Sequence, residues 1–110
     1  MRTIERQIAE EIRNCSPDVS NARHTRNLSK RDRIVFDGDE LQVFLWSTKI
    51  ATVRKNSVIL SSGGHHTLTT KSRLNAILEA VGIRDRIYQK NFEWFMDGCE
   101  FADGIQIARN

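Results

Sequence analysis

Between Ser61 and Asn75 the chain brings together most of the residue types that could do chemistry. Gly63 and Gly64 free the backbone, His65 and His66 can titrate or ligate, and Thr67, Thr69, Thr70 and Ser72 cluster hydroxyls ahead of Lys71 and Arg73. The chemistry such a set suits is anion binding, because free amides at a helix N-terminus, a pliable glycine pair and hydroxyls can together hold a phosphate. Lys71 and Arg73 fall in the first helical turn, where a cation opposes the macrodipole by about a few tenths of a kcal/mol, so something else should offset them, and a bound phosphate would. A P-loop is excluded, since the GxxxxGK[ST] spacing is absent. The plain alternative is a capped helix behind a glycine turn, with Lys71 and Arg73 reaching into water.

A second charged stretch lies upstream. Arg23, Arg26, Lys30, Arg31 and Arg33 are accompanied only by Asp32. With Lys49, Arg54, Lys55, Lys71 and Arg73 they could form a phosphate-facing surface, although runs of this kind also serve simply as solvated surface. His65 and His66 make a poor metal site: adjacent residues on extended backbone point to opposite faces, and further ligands would have to come from Asp37, Asp39, Asp97 or Asp103. No nucleophile elbow, paired-carboxylate signature or dinucleotide fingerprint is present. Neither a catalytic residue nor a cofactor is expected, and a binding protein is favoured over an enzyme.

A chain of 110 residues with 39% hydrophobic and 28% charged side chains is expected to form one domain, neither disordered nor membranous. No apolar run approaches the roughly 20 residues that span a bilayer, and the first residues read as a charged amphipathic segment and not as a signal peptide. Cys15 and Cys99 lie far apart and read as reduced thiols, which fits a cytosolic protein. The net charge of +3 permits contact with nucleic acid without requiring it.

The elements that must position these groups follow from periodicity. Ile4, Ile8, Ala9 and Ile12 predict an amphipathic helix over 2–14, ended at Ser16-Pro17-Asp18 and laid on a sheet or against a partner chain. The segment 19–33 reads as a solvated loop or the start of an edge strand. Strands are predicted at 34–36, 41–46, 50–53 and 58–60, with turns at Asp37-Gly38, Ser47-Thr48-Lys49 and Arg54–Ser57. The strand 41–46 reads as covered on both faces, Phe44 and Trp46 on one and Leu41, Val43 and Leu45 on the other. A helix follows from near Thr70, with Thr69 or Thr70 as N-cap, Leu74, Ile77, Leu78 and Val81 inward, and Lys71, Arg73, Asn75 and Glu79 outward. Gly82 at C′ and Ile83 folded onto Leu78 predict a Schellman ending. Further strands fall at 86–89, 92–96, 100–101 and 105–107, with turns at Asp97-Gly98 and Asp103-Gly104, and Phe92, Trp94 and Met96 are expected in the core and not as a base-stacking platform. The predicted class is α+β: a mostly antiparallel sheet of about five strands, with one helix packed on it and an N-terminal helix. Residues 1–33 form the helix and basic segment of the single domain, and 34–110 its core.

From Leu41 to Ile107 the chain resembles a small protein family common in tailed bacteriophages, including phages of marine and freshwater bacteria. The resemblance rests on Leu45–Ala51, Leu60–Asn75, Tyr88–Phe95 and Phe101–Gly104, of which the run Thr69-Thr70-Lys71-Ser72-Arg73-Leu74-Asn75 is the most specific. It implies phage origin, small size and a setting in the host bacterial cytoplasm, and it assigns no catalytic residue. The N-terminal helix and the segment to Arg33 lie outside it. Two readings result. One is an accessory protein that binds nucleic acid through Gly63, Gly64, Thr69, Thr70, Lys71 and Arg73 together with Arg23, Arg26, Lys30, Arg31 and Arg33. The other is a modulator of a host protein, a defence or polymerase component, acting through the N-terminal helix or an exposed sheet. No membrane partner is expected, and self-association is compatible with either.

Overall fold

The computed structural model describes residues 3–14, 24–38, 40–64, 66–91 and 93–108. Arg23, Asp39, His65, Phe92, Cys15 and the Ser16-Pro17-Asp18 stop lie outside the described residues. The elements are α1 (Thr3–Asn14), β1 (His24–Asn27), β2 (Asp32–Asp37), β3 (Glu40–Leu45), β4 (Thr48–Val53), β5 (Ser57–Leu60), α2 (Leu68–Ala80), β6 (Ile87–Lys90), β7 (Glu93–Met96), β8 (Cys99–Glu100) and β9 (Ile105–Ala108). The class is α+β, as predicted.

Every strand pairing is antiparallel, but the strands divide into two sheets: six in the order β1-β2-β3-β4-β5-β9, and three in the order β6-β7-β8. Five strands in one sheet was therefore an underestimate. Period-2 patterning tells which face a strand buries but not which neighbour it pairs with, so the separation of 87–100 from the main sheet left no mark in the sequence. The basic segment is in part an edge strand, β1, the second of its two predicted forms.

Two cross-strand rows build the core face of the main sheet: Ile34, Val43, Ala51, Leu60 and Ile105, then Phe36, Leu41, Val53, Val58 and Ile107. Against them lie Leu74, Ile77 and Leu78 of α2, together with Ile8 and Ile12 of α1. The N-terminal helix packs beside α2, which explains its narrow stripe without a partner chain. Strand β3 is internal as predicted, but only Leu41, Val43 and Leu45 are buried; Gln42 and Phe44 on its other face are half-exposed. That face carries no helix among the described residues. Trp46 has left the strand altogether, standing with φ 58 in the turn and 66% exposed.

Helix α2 starts earlier than predicted. Thr67, not Thr69 or Thr70, is the N-cap, its hydroxyl accepting from the Thr70 amide at 3.2 Å. The far end matches expectation: Gly82 at φ 81 donates to the Glu79 carbonyl, and Ile83 donates to that of Leu78, the paired bonds of a Schellman motif. Asn75 then joins α2 to the small sheet, its side chain donating to the Ile87 carbonyl at 3.0 Å and accepting from the Ile87 amide at 2.7 Å.

The main correction concerns Arg73. It does not face solvent; it is 1% exposed, on the same helical face as Thr70 and Ile77. Its Nε lies 2.7 Å from Asp32 Oδ1 and its Nη1 3.0 Å from Glu5 Oε1, so one guanidinium ties α2 to both β2 and α1. Asp32 and Glu5 are themselves 2% and 4% exposed. Removing the cation strands two buried carboxylates, and breaking such a pair typically costs about 3–5 kcal/mol. Urea unfolding should accordingly show Arg73→Ala destabilised by about that amount. Converting the whole cluster (Glu5→Leu, Asp32→Asn, Arg73→Met) should return much of the loss, and an unchanged midpoint for Arg73→Ala would contradict the assignment.

Candidate functional site

The Ser61–Gly64 stretch is folded by its own hydroxyls. Ser62 donates from both its amide and its Oγ to Asp103 Oδ1, each at 2.7 Å, while its Oγ accepts from the Gly64 amide. Burial alone would raise the Asp103 pKa, but the Ser62 amide and hydroxyl, the nearby His66 and the Gly64 amide together hold it below the ordinary 3.8. Gly63, at φ 65, sits so close to β4 that a Cβ there would lie 2.2 Å from Thr48 Cγ2, so this approach requires glycine. His66 stacks on Trp94 with centroids 4.4 Å apart. Trp94 and Met96 are buried, as predicted.

These contacts place the loop and the start of α2 opposite the β3–β4 hairpin, leaving a cleft of about 530 Å³ between them. Leu45 and Ile50, both buried, and the exposed Trp46 give it apolar surface, Thr48 and Thr69 give it hydroxyls, and Arg31 lines it. On the open face of the sheet, pairing sets Asn27, Arg33, Phe44 and Lys49 in one cross-strand row. The Arg33 guanidinium lies over the Phe44 ring, 4.5 Å from its centroid, and its buried Nε has no hydrogen-bond partner. The row contains no carboxylate.

The residues singled out in the sequence are thus distributed over several places. Thr69, Thr70 and Arg31 line the cleft, with Gly63 and Gly64 in the adjoining loop. Lys71 lines a separate groove with Glu5 and Arg86. Arg73 is buried with Asp32 and Glu5, and because α2 begins at Leu68 it stands in the second turn of the helix and not in the first. Arg26 pairs with Glu11 of α1 at 2.7 Å, Lys30 is exposed in the β1–β2 turn, and Arg33 faces the other side of the sheet from Asp32. Arg73 does not share a surface with Lys71, because its side chain is buried in the core. Phe44 and Trp46 were missed as surface aromatics, and only the turn position could have signalled it: placing the turn at Trp46-Ser47 instead of Ser47–Lys49 takes Trp46 out of the strand.

The family model described as Kyanoviridae Gp96 protein matches residues 1–108. The chain belongs to that phage protein family. Membership extends through α1 and the basic segment, which lay outside the narrower resemblance. No curated protein and no solved structure matches the chain. Among the described residues, no helix is long and apolar enough to cross a membrane, and no three His, Cys, Asp or Glu side chains gather in a metal-binding group.

The pH dependence of this loop has a definite sign. Because the folded-state pKa of Asp103 is lowered, the contribution of its ion and hydrogen bonds is complete above the ordinary carboxylate value of 3.8 and is lost as pH falls through the lower folded value. Chemical denaturation across acid pH should show wild type more stable than Asp103→Asn at neutral pH, with the gap closing only below the usual carboxylate range. A gap independent of pH would contradict this account.

Proposed function

We propose that the protein is a nucleic-acid-binding accessory protein of the phage, using the open face of the six-stranded sheet. The observation that carries this reading is the row Arg33–Phe44–Lys49. A guanidinium placed over an aromatic ring can still offer its Nη donors to phosphate oxygens, and the next residue across the sheet adds a second cation with no acid in the row. Arginine stacked on an aromatic is also a surface on which bases pack without regard to sequence. Glu40, further along the hairpin, pairs with Arg54 at 2.8 Å and also feels the Lys49 charge.

Binding on such a surface is dominated by counterion release, so affinity for DNA or RNA falls steeply with salt and varies little with sequence. The test is the salt dependence of the affinity for a labelled oligonucleotide. Arg33→Gln combined with Lys49→Gln should weaken binding and flatten the slope of log K against log salt by between about 1.4 and 1.8 units, the loss of two phosphate contacts. Thermal unfolding should change little, since neither residue belongs to the core cluster. No retention of any nucleic acid at low salt, or a slope that the double substitution leaves unchanged, would refute the proposal.

A further inference from the structure

Trp46 is not explained by the fold. Its ring forgoes the burial of about 150–250 Å² that makes tryptophan valuable in a core, and its φ of 58 belongs to the region that two-residue hairpins usually fill with Asn, Asp or Gly. Among the described residues no aromatic ring, cation or polar side chain engages it, and its only recorded bond is from its amide to the Arg31 carbonyl at 2.6 Å. A side chain that costs the turn and returns nothing to the core points to something outside the chain.

What that is can be read from the cleft beside it. It is lined by the buried, apolar Leu45 and Ile50 and by the hydroxyl-bearing Thr48 and Thr69. The Arg31 guanidinium lies 3.8 Å from Asp32, beyond hydrogen-bond range, so its donors remain available. Among the described residues no carboxylate lines the cleft, and its volume of about 530 Å³ is in the range of small-molecule sites. The hairpin also connects the cleft to the basic row: Phe44 and Lys49 belong to the row, and Leu45, Trp46 and Thr48 between them belong to the cleft. A chain of phosphates on Arg33 and Lys49 therefore reaches the cleft by passing over the end of a single hairpin.

We infer that the cleft receives one unpaired nucleobase, stacked on the Trp46 ring with its adjoining phosphate held by Arg31, and that the ligand of the open sheet face is consequently single-stranded. A base inside a duplex is already stacked and paired and would have to be extruded to enter. The inference rests on the nucleic-acid reading above, and its test separates the two.

Tryptophan fluorescence reports directly, because Trp94 is 1% exposed and serves as a constant background. Oligothymidylate, an abasic strand of the same length and a duplex of the same length are titrated into wild type, Trp46→Phe and Trp46→Ala. Oligothymidylate should quench Trp46 and bind at least about tenfold more tightly than the other two, with Trp46→Ala losing roughly 5- to 150-fold, the range of one lost base–aromatic stack. Trp46→Phe should retain most of the affinity, and the salt slope should be the same in all three proteins. Salt-dependent binding that does not distinguish the three ligands, or that Trp46→Ala leaves unchanged, overturns the base site while leaving the open-face reading intact. Absence of salt-dependent binding to any of them overturns both. A protein captured through Trp46, with no quenching by oligothymidylate, would assign the ring to a protein contact and overturn the inference as well.

Discussion

A single buried cation fixes the arrangement of this protein. Arg73 projects from α2 to Asp32 at the start of β2 and to Glu5 in the first turn of α1, and all three side chains are nearly inaccessible to water. Apolar packing is tolerant of small shifts, but a buried guanidinium must stay close to its counter-charges: Nε and Nη2 donate to Asp32, while Nη1 lies 3.0 Å from Glu5 as an ion pair without a hydrogen bond. The helix pair can therefore sit on the sheet in one register. Ser29 strengthens the arrangement by donating to Asp32 Oδ2 at 2.7 Å and accepting from the Asp32 amide, so the β1–β2 turn is held by the same carboxylate.

This constraint also governs which charges are left for a partner. Arg73 is taken by the core and Arg26 by Glu11, and Lys71 shares a groove with Glu5, so the helices hold little uncompensated positive charge. Both helices cover one face of the main sheet. Arg33 and Lys49 lie on the opposite face, and Arg31, which also approaches Asp32 at 3.8 Å, lies beside the β3–β4 hairpin.

Much of this was legible in the sequence. The helices, the Asp37-Gly38 and Asp97-Gly98 turns, the Schellman ending and the central place of β3 all follow from local pattern and turn chemistry. The role of Arg73 was legible in principle: it stands three residues after Thr70 and four before Ile77, on the buried stripe, and Asp32 was the lone acid among five basic residues. It was missed because a charged side chain is assigned to solvent by habit, and only the position of Glu5 and Asp32 in space shows that it is matched. The division into two sheets and the exposure of Trp46 depend on pairing across distance and on a one-residue shift in a turn, which periodicity does not encode.

The pairing of β5 with β9 carries a consequence for how the molecule assembles. Strands β1 to β5 form by successive short hairpins, each closing a small loop, whereas β9 reaches β5 only after α2 and the whole of the small sheet have intervened. Closing that long loop gains nothing until its ends meet. The meander can therefore take shape first, with the edge of β5 open until α2 and the Asn75 clamp on Ile87 have drawn the small sheet in. Until β9 pairs with it, the edge of β5 is an uncovered row of backbone donors and acceptors, open to pairing with the wrong neighbour.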